Sequence, residues 1–322
     1  MLLLKKLGFG FFCKKVILKI IPWKLRYKKI VRRLIGDSCD RAVMRYLKKY
    51  LPIIEQYDFQ ESSEQIGPTS NIWVLWWQGY ENAPDIVKAC ICSIKKNAGS
   101  HPVVLLDQYN YKQYITLPDH IIDRFEKGHM MYAGFSDIIR TSLLYQHGGI
   151  WMDATIYMLH PLDEIVENST FYSLRSVDDE VDSFSLLLGH WSGFFMGCGK
   201  GNHILGLWNK LFVEYWKDEE TFIDFLLIDF FLTMIYWNVE PAKKAIDDLP
   251  LSNRGKFELG LILNESRDSV KRLPDDGTYI YKLTHHGSFS DSVNGKETVY
   301  HMLVHEGLDG SGRSGNKTDI QI

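Results

Sequence analysis

Between residues 71 and 155 the chain alternates short apolar runs with segments whose apolar residues recur at helical spacing. NIWVLWWQG (71–79) is a nearly continuous apolar run stopped by glycine, which predicts a buried strand. APDIVKACICSIKKNA (83–98) predicts a helix, with Pro84 at its start, where a fixed φ suits the first turn. HPVVLLD (101–107) predicts a second short strand ending in an acid, and TLPDHIIDRFEKG (116–128) a helix with a glycine stop. Strand, helix, strand, helix predicts an α/β fold whose mostly parallel central sheet is joined by right-handed crossovers.

The segment AGFSDIIRTSLLYQHGGIWMDAT (133–155) adds chemistry to the pattern. Ile138, Ile139, Leu143 and Leu144 fall at helical spacing, with Ser136 as the expected N-cap, Asp137 in the first turn and Arg140 one turn later. Gly148-Gly149 ends that helix, because glycine reaches left-handed backbone geometry at little cost, and Ile150-Trp151-Met152 enters as a strand. Asp153 then stands at the strand's carboxyl end, the edge at which open α/β sheets bind ligands. Taken singly, Asp137 is also explained as an acid stabilising a helix N-terminus, and Arg140 as its i,i+3 partner.

Further along, SLLLGHWSGFFMGCGKGNHILGLWNKLFVEYW (185–216) joins a glycine-rich aromatic segment to an amphipathic helix. Its Trp208, Phe212, Tyr215 and Trp216 read as a buried stripe. In TFIDFLLIDFFLTMIYW (221–237), Asp224 and Asp229 interrupt an apolar helix. A buried carboxylate is costly without a partner, which makes Asp229 a candidate binding group and leaves Asp224 for the helix's exposed start. In KLTHHGSFSD (282–291), His285 and His286 precede a Gly-Ser turn, and the polar, glycine-rich end at 309–322 reads as a flexible tail.

Composition divides the chain. With 322 residues, 45% hydrophobic and 13% aromatic, it has the material for a large core. Residues 1–50 carry 15 Lys and Arg against 2 Asp, leaving 22 basic and 38 acidic side chains for the remainder. The acidic body argues against nucleic acid as a partner and sets the basic N-terminus apart. In residues 1–36, lysine and arginine interleave with Leu, Ile, Phe and Trp, and no uninterrupted run reaches the ~20 apolar residues that a spanning helix needs. An amphipathic arm lying on an anionic membrane surface is the expectation, and helices packed on the protein's own body are the alternative. The expected division is an arm at 1–65, a catalytic domain at 66–308 and the tail at 309–322. Five scattered cysteines show neither zinc spacing nor a disulfide framework, which suits a cytoplasmic protein at the inner face of the membrane.

The S-D-x-x-R helix followed by G-G-x-x-x-D resembles the sugar-nucleotide segment of glycosyltransferase family 32. The W-x-D-A-T form is similar to its capsular polysaccharide synthesis relatives, and the likeness extends over about residues 71–305. It implies a GT-A-like nucleotide-sugar-binding fold and a retaining transfer, helped by Mn²⁺ or Mg²⁺, to a glycan or lipid-linked oligosaccharide. Asp137 would then meet ribose or sugar hydroxyls, Arg140 the sugar or phosphate, and Asp153 a divalent cation on the diphosphate. Thr155 stands where the second acid of a D-x-D pair would be. His286 and His285 are further candidate ligands, since neutral imidazole binds Mn²⁺. Trp76 matches an aromatic residue that stacks the base, with Gln78 beside it. Asp107 is a base or ribose contact or a turn acid, Ser288 a phosphate contact, and Asp229 a group for the donor sugar or acceptor. Two other functions compete, a catalytically weak nucleotide-sugar-binding protein and a metal-dependent hydrolase using Asp137 and Asp153.

Overall fold

The computed structural model describes residues 2–21, 35–162, 164–175 and 190–308, so the tail at 309–322 lies outside the described residues. The elements in chain order are α1 (Leu2–Ile20), α2 (Asp37–Leu47), α3 (Leu51–Glu55), β1 (Ile72–Leu75), α4 (Asp85–Asn97), β2 (Val103–Leu106), α5 (Asp119–Glu126), α6 (Tyr132–His147), β3 (Gly149–Met152) and β4 (Ile156–Met158). They continue with β5 (Phe171–Ser173), β6 (Phe195–Cys198), α7 (His203–Asp218), α8 (Leu227–Asn238), α9 (Glu240–Asp247), β7 (Ile280–Lys282) and α10 (Val299–His305).

The central sheet has the order β2-β1-β3-β6-β5. Ile72 is in register with Val103 on one side and Ile150 on the other, both parallel, whereas β6 is antiparallel to β3 and to β5. Four strands therefore share one direction, in agreement with the α/β alternation read from the sequence. Ile72, Trp73 and Val74 are buried, as are all four residues of β3, the pattern of strands covered on both faces. Trp208, Phe212, Tyr215 and Trp216 are fully buried, as their spacing predicts.

Several boundaries differ from the sequence reading, each because tertiary packing outweighs a local signal. Helix α6 starts at Tyr132, so Ser136 and Asp137 lie inside it, and its N-cap Met131 makes no side-chain cap bond. The early start brings Tyr132 and Phe135 against Trp77 and Phe125. Strand β1 stops at Leu75, and Trp76 and Trp77 form a turn closed by Gly79, whose amide donates to the Trp76 carbonyl at 2.9 Å and whose φ is 84°. Helix α8 begins only at Leu227, after Asp224.

Part of the expected arm at 1–65 packs on the body. Val43, Leu47, Tyr50 and Ile54 of α2, α3 and the turn between them lie in the main core, with the Tyr50 ring 5.8 Å from that of Tyr215. Residues 37–55 are thus part of the body, and Phe11 of α1 joins the same core. Helix α1 buries Phe11 but exposes Phe9, Phe12, Val16, Ile17 and Ile20. Glu219, at the end of α7 and buried, accepts hydrogen bonds from Lys6, from Tyr46 at 2.5 Å and from Lys49 at 2.5 Å. Among the described residues no helix is long and apolar enough to cross a membrane.

Candidate functional site

Four charged side chains converge where β3 leaves the sheet. The Asp153 amide donates to the Phe194 carbonyl at 2.9 Å, which fixes the carboxylate just past the strand's end. Its Oδ1 accepts from Trp151 Nε1 at 2.9 Å and from Arg140 at 3.2 Å, and its Oδ2 accepts from Lys282 Nζ at 2.7 Å. Arg140 comes from the middle of α6, and its guanidinium lies 3.4 Å from Asp137 and 5.0 Å from the centre of the Trp151 ring. It also donates to the Gly193 carbonyl. A Cβ at Gly193 would stand 3.1 Å from the guanidinium, so Arg140 would have to give by a few tenths of an ångström.

Lys282 was not singled out by the sequence, and strand pairing explains its arrival. β7 runs antiparallel to β4 with Lys282 opposite Ile156, and the Leu283 amide donates to the Thr155 carbonyl at 2.9 Å. The ammonium thus reaches Thr155 Oγ1 at 2.6 Å as well as Asp153. In the sequence Lys282 is one more lysine ahead of a histidine pair; only the β4/β7 pairing, long-range in the chain, distinguishes it.

The electrostatics divide the carboxylates. Burial pushes the Asp137 carboxyl up to about 7, with Asp153 and Asp229 adding to the rise and Arg140 opposing it. Burial also works against ionisation of Asp153, but Lys282, Arg140 and the Trp151 hydrogen bond outweigh it and hold that carboxyl below its ordinary value. Asp229 is raised by burial, although Trp191 Nε1 donates to it at 2.8 Å. Between pH ~4 and ~7 the folded protein therefore retains a proton at Asp137 that the unfolded chain has released, and the stability this provides is lost as pH rises toward 7. Asp137→Asn should remove that loss. Melting curves at pH 5 and pH 8 should show the variant gaining on wild type by more than about 3 °C at the higher pH; an unchanged difference would place no titration there.

Beside this cluster, the Trp76 and His285 rings meet edge to face at 5.1 Å, and the His285 ring packs on His286 at 3.9 Å. Burial lowers the pKa of His285, with His286 and Lys282 adding to the effect. Two buried donors, Trp76 Nε1 and Arg140 Nε, have no acceptor among the described residues. The remaining candidates are less integrated. Asp107 Oδ1 caps its own turn, accepting from the amides of Tyr109 and Asn110 at 2.8 and 3.0 Å, which is the turn-acid alternative. Gln78, His286 and Ser288 are exposed.

The donor set does not fit a divalent cation. Such ions in diphosphate sites take carboxylate and other hard oxygens. Here the single strand-end carboxylate has both oxygens engaged by cations, and Thr155 Oγ1 faces the same ammonium. Among the described residues, sets of three or more potential ligands occur at Asp291, His301 and His305 and at Glu297, His301 and Glu306; Asp153 belongs to neither. A cavity of about 600 Å³ between α4 and α10, lined by Lys88, Lys95 and Tyr157 among others, contains none of the clustered residues. The cluster of buried charges makes the β3 edge the stronger candidate, and the two orphan donors beside it are of the kind that a ligand oxygen relieves.

The chain is similar to several glycosyltransferases. Glycosyltransferase afumC of Aspergillus fumigatus is 24% identical over 190 residues, 55% of this chain and 45% of that protein. O-glycosyltransferase braB of Annulohypoxylon truncatum is 24% identical over 161 residues, 45% of this chain and 37% of that protein. The chain thus spans less than half the length of these curated relatives. Among solved structures, PaToxG Glycosyltransferase aligns with a TM-score of 0.40 and 15% identity, over 67% of this chain and 84% of that one. The model of the capsular polysaccharide synthesis proteins matches residues 27–303, a span that holds every residue of the cluster at the β3 edge, and the chain belongs to that family.

Proposed function

We propose that the protein is a glycosyltransferase that moves a sugar from a nucleotide-diphosphate donor to a hydroxyl of a glycan or lipid-linked oligosaccharide in surface polysaccharide synthesis. The observation that carries this reading is the pairing of Arg140 and Lys282 around Asp153, next to two buried N–H donors without acceptors. Cations and orphan donors suit an anionic, oxygen-rich ligand. Family membership and the names of the curated relatives support sugar transfer. Trp76 offers an indole face for the base, a contact worth about 1 to 3 kcal/mol.

A retaining, front-face reaction fits the carboxylates. Asp137 holds its proton toward neutrality and Asp153 and Asp229 are committed to partners, so none is poised as a double-displacement nucleophile. The C1–O bond to the diphosphate breaks, the acceptor oxygen bonds to C1 on the same face, and the acceptor's proton passes to the departing phosphate oxygen. A panel of UDP- and GDP-sugars tested by thermal shift and donor hydrolysis decides the reading, since a bound ligand raises stability with the logarithm of its concentration. Neither stabilisation nor hydrolysis with any donor would reject it.

We also propose that the outer face of α1 rests on an anionic membrane surface. Phe9, Phe12, Val16 and Ile20 are exposed and recur along the helix, in a segment rich in lysine. Changing Phe9, Phe12 and Ile20 to Ser should lower co-sedimentation with phosphatidylserine vesicles by about tenfold without altering donor hydrolysis. Undiminished sedimentation would leave this face without that role.

A further inference from the structure

Resting on the donor reading above, we propose that Lys282 is a catalytic residue that stands in for a divalent cation, so that the leaving diphosphate is neutralised by protein cations alone. Its Nζ lies 2.7 Å from Asp153 Oδ2 and 2.6 Å from Thr155 Oγ1, the two strand-end oxygens that a D-x-D-type metal would use. A cation held there by hydrogen bonds takes the metal's place between the same ligands. At the Asp153 carboxylate one negative charge already meets two positive ones, from Lys282 and Arg140, and a further dication would enter against their repulsion.

The neutral hydroxyl of Thr155 belongs to the same arrangement. A second carboxylate would favour a metal, whereas a hydroxyl accepts from an ammonium without demanding more charge. Backbone pairing fixes the position of the lysine. Lys282 is opposite Ile156, its own amide donates to the Lys256 carbonyl at 2.7 Å, and its ammonium lies 5.4 Å from the centre of the Phe194 ring. An ammonium has three protons, and Asp153 and Thr155 account for two. The third serves a phosphate oxygen, and the side chain keeps 22% of its surface accessible, enough for a ligand to reach it. As the C1–O bond breaks, the negative charge gathering on the β-phosphate develops beside Lys282, where a fixed cation stabilises it without reorganisation.

The test uses the full chain stripped with EDTA, with UDP, GDP and the corresponding nucleosides as calorimetric probes. Wild type should bind the diphosphate in EDTA with an affinity that added Mn²⁺ changes by less than about threefold. Lys282→Met should bind the nucleoside as wild type does, which reports an intact fold, but lose about 10- to 100-fold for the diphosphate, the worth of one charge-assisted hydrogen bond. Lys282→Arg should recover most of that loss, and donor hydrolysis should follow the same order. A drop of tenfold or more in wild-type diphosphate affinity on removing Mn²⁺ would overturn the proposal while leaving the donor reading intact, as would unchanged diphosphate binding by Lys282→Met. Absence of diphosphate binding by wild type under both conditions would overturn the donor reading and this inference with it.

Discussion

An Asp153→Asn protein should transfer sugar at least about a hundredfold more slowly than wild type while remaining folded, comparable with removing one preorganised group from an electrostatic site. The amide keeps the volume and one acceptor oxygen, so the turn after β3 has no steric reason to change. What disappears is the charge that holds Arg140 on one side and Lys282 on the other. Both cations would shift, and the phosphate position would lose its definition. Steady-state kcat with the best donor of the panel, together with near-ultraviolet circular dichroism, measures this. A kcat within about threefold of wild type would remove Asp153 from the reaction.

The second large effect falls on stability. Arg140→Ala would strip the partner from Asp137 and Asp153 at once and free the Gly193 carbonyl, and breaking a buried ion pair in this way costs about 3 to 5 kcal/mol. Arg140→Lys should restore less than half of that, because one ammonium cannot span two carboxylates and a carbonyl as well as a planar guanidinium lying over Trp151 does. Urea unfolding midpoints of the three proteins give the comparison. Wild-type stability in the lysine variant would mean that charge alone, and not the fork, is what the site requires.

What could be read from the sequence was local in the chain. The strand-to-helix alternation, the Gly148-Gly149 stop and the placement of Asp153 at a strand end depend on neighbours within a few residues. The positive φ of both glycines, 69° and 97°, bears out that turn. Helix starts were less legible, because a cap residue such as Ser136 competes with the burial of Phe135 and the ring contact of Tyr132 against Trp77, and packing sets the boundary. Within the site, Asp137 and Arg140 were recognisable from their i,i+3 spacing and the turn after them. Lys282 was not, since its meeting with Asp153 depends on a strand pairing across more than a hundred residues. The bond from Trp191 to Asp229, 38 residues apart, was hidden because the packing of a helix against a loop brings them together.

The carboxylate of Glu219 has a mechanical consequence. It is anchored at the end of α7, while its partners Lys6, Tyr46 and Lys49 come from the first fifty residues. Pulling that segment away would strand an anion that burial already penalises, and for this reason simple truncation of the N-terminus is a poor probe of the segment's role. The linkage ties α1 and α2 to the end of α7. If the outer face of α1 settles into lipid headgroups, these contacts limit how the body can turn above the bilayer, and with it the height and tilt of the proposed site at the β3 edge. An acceptor anchored in the same bilayer would then be sought by lateral diffusion in two dimensions, and the reach of the site would be fixed by the geometry of one ion cluster.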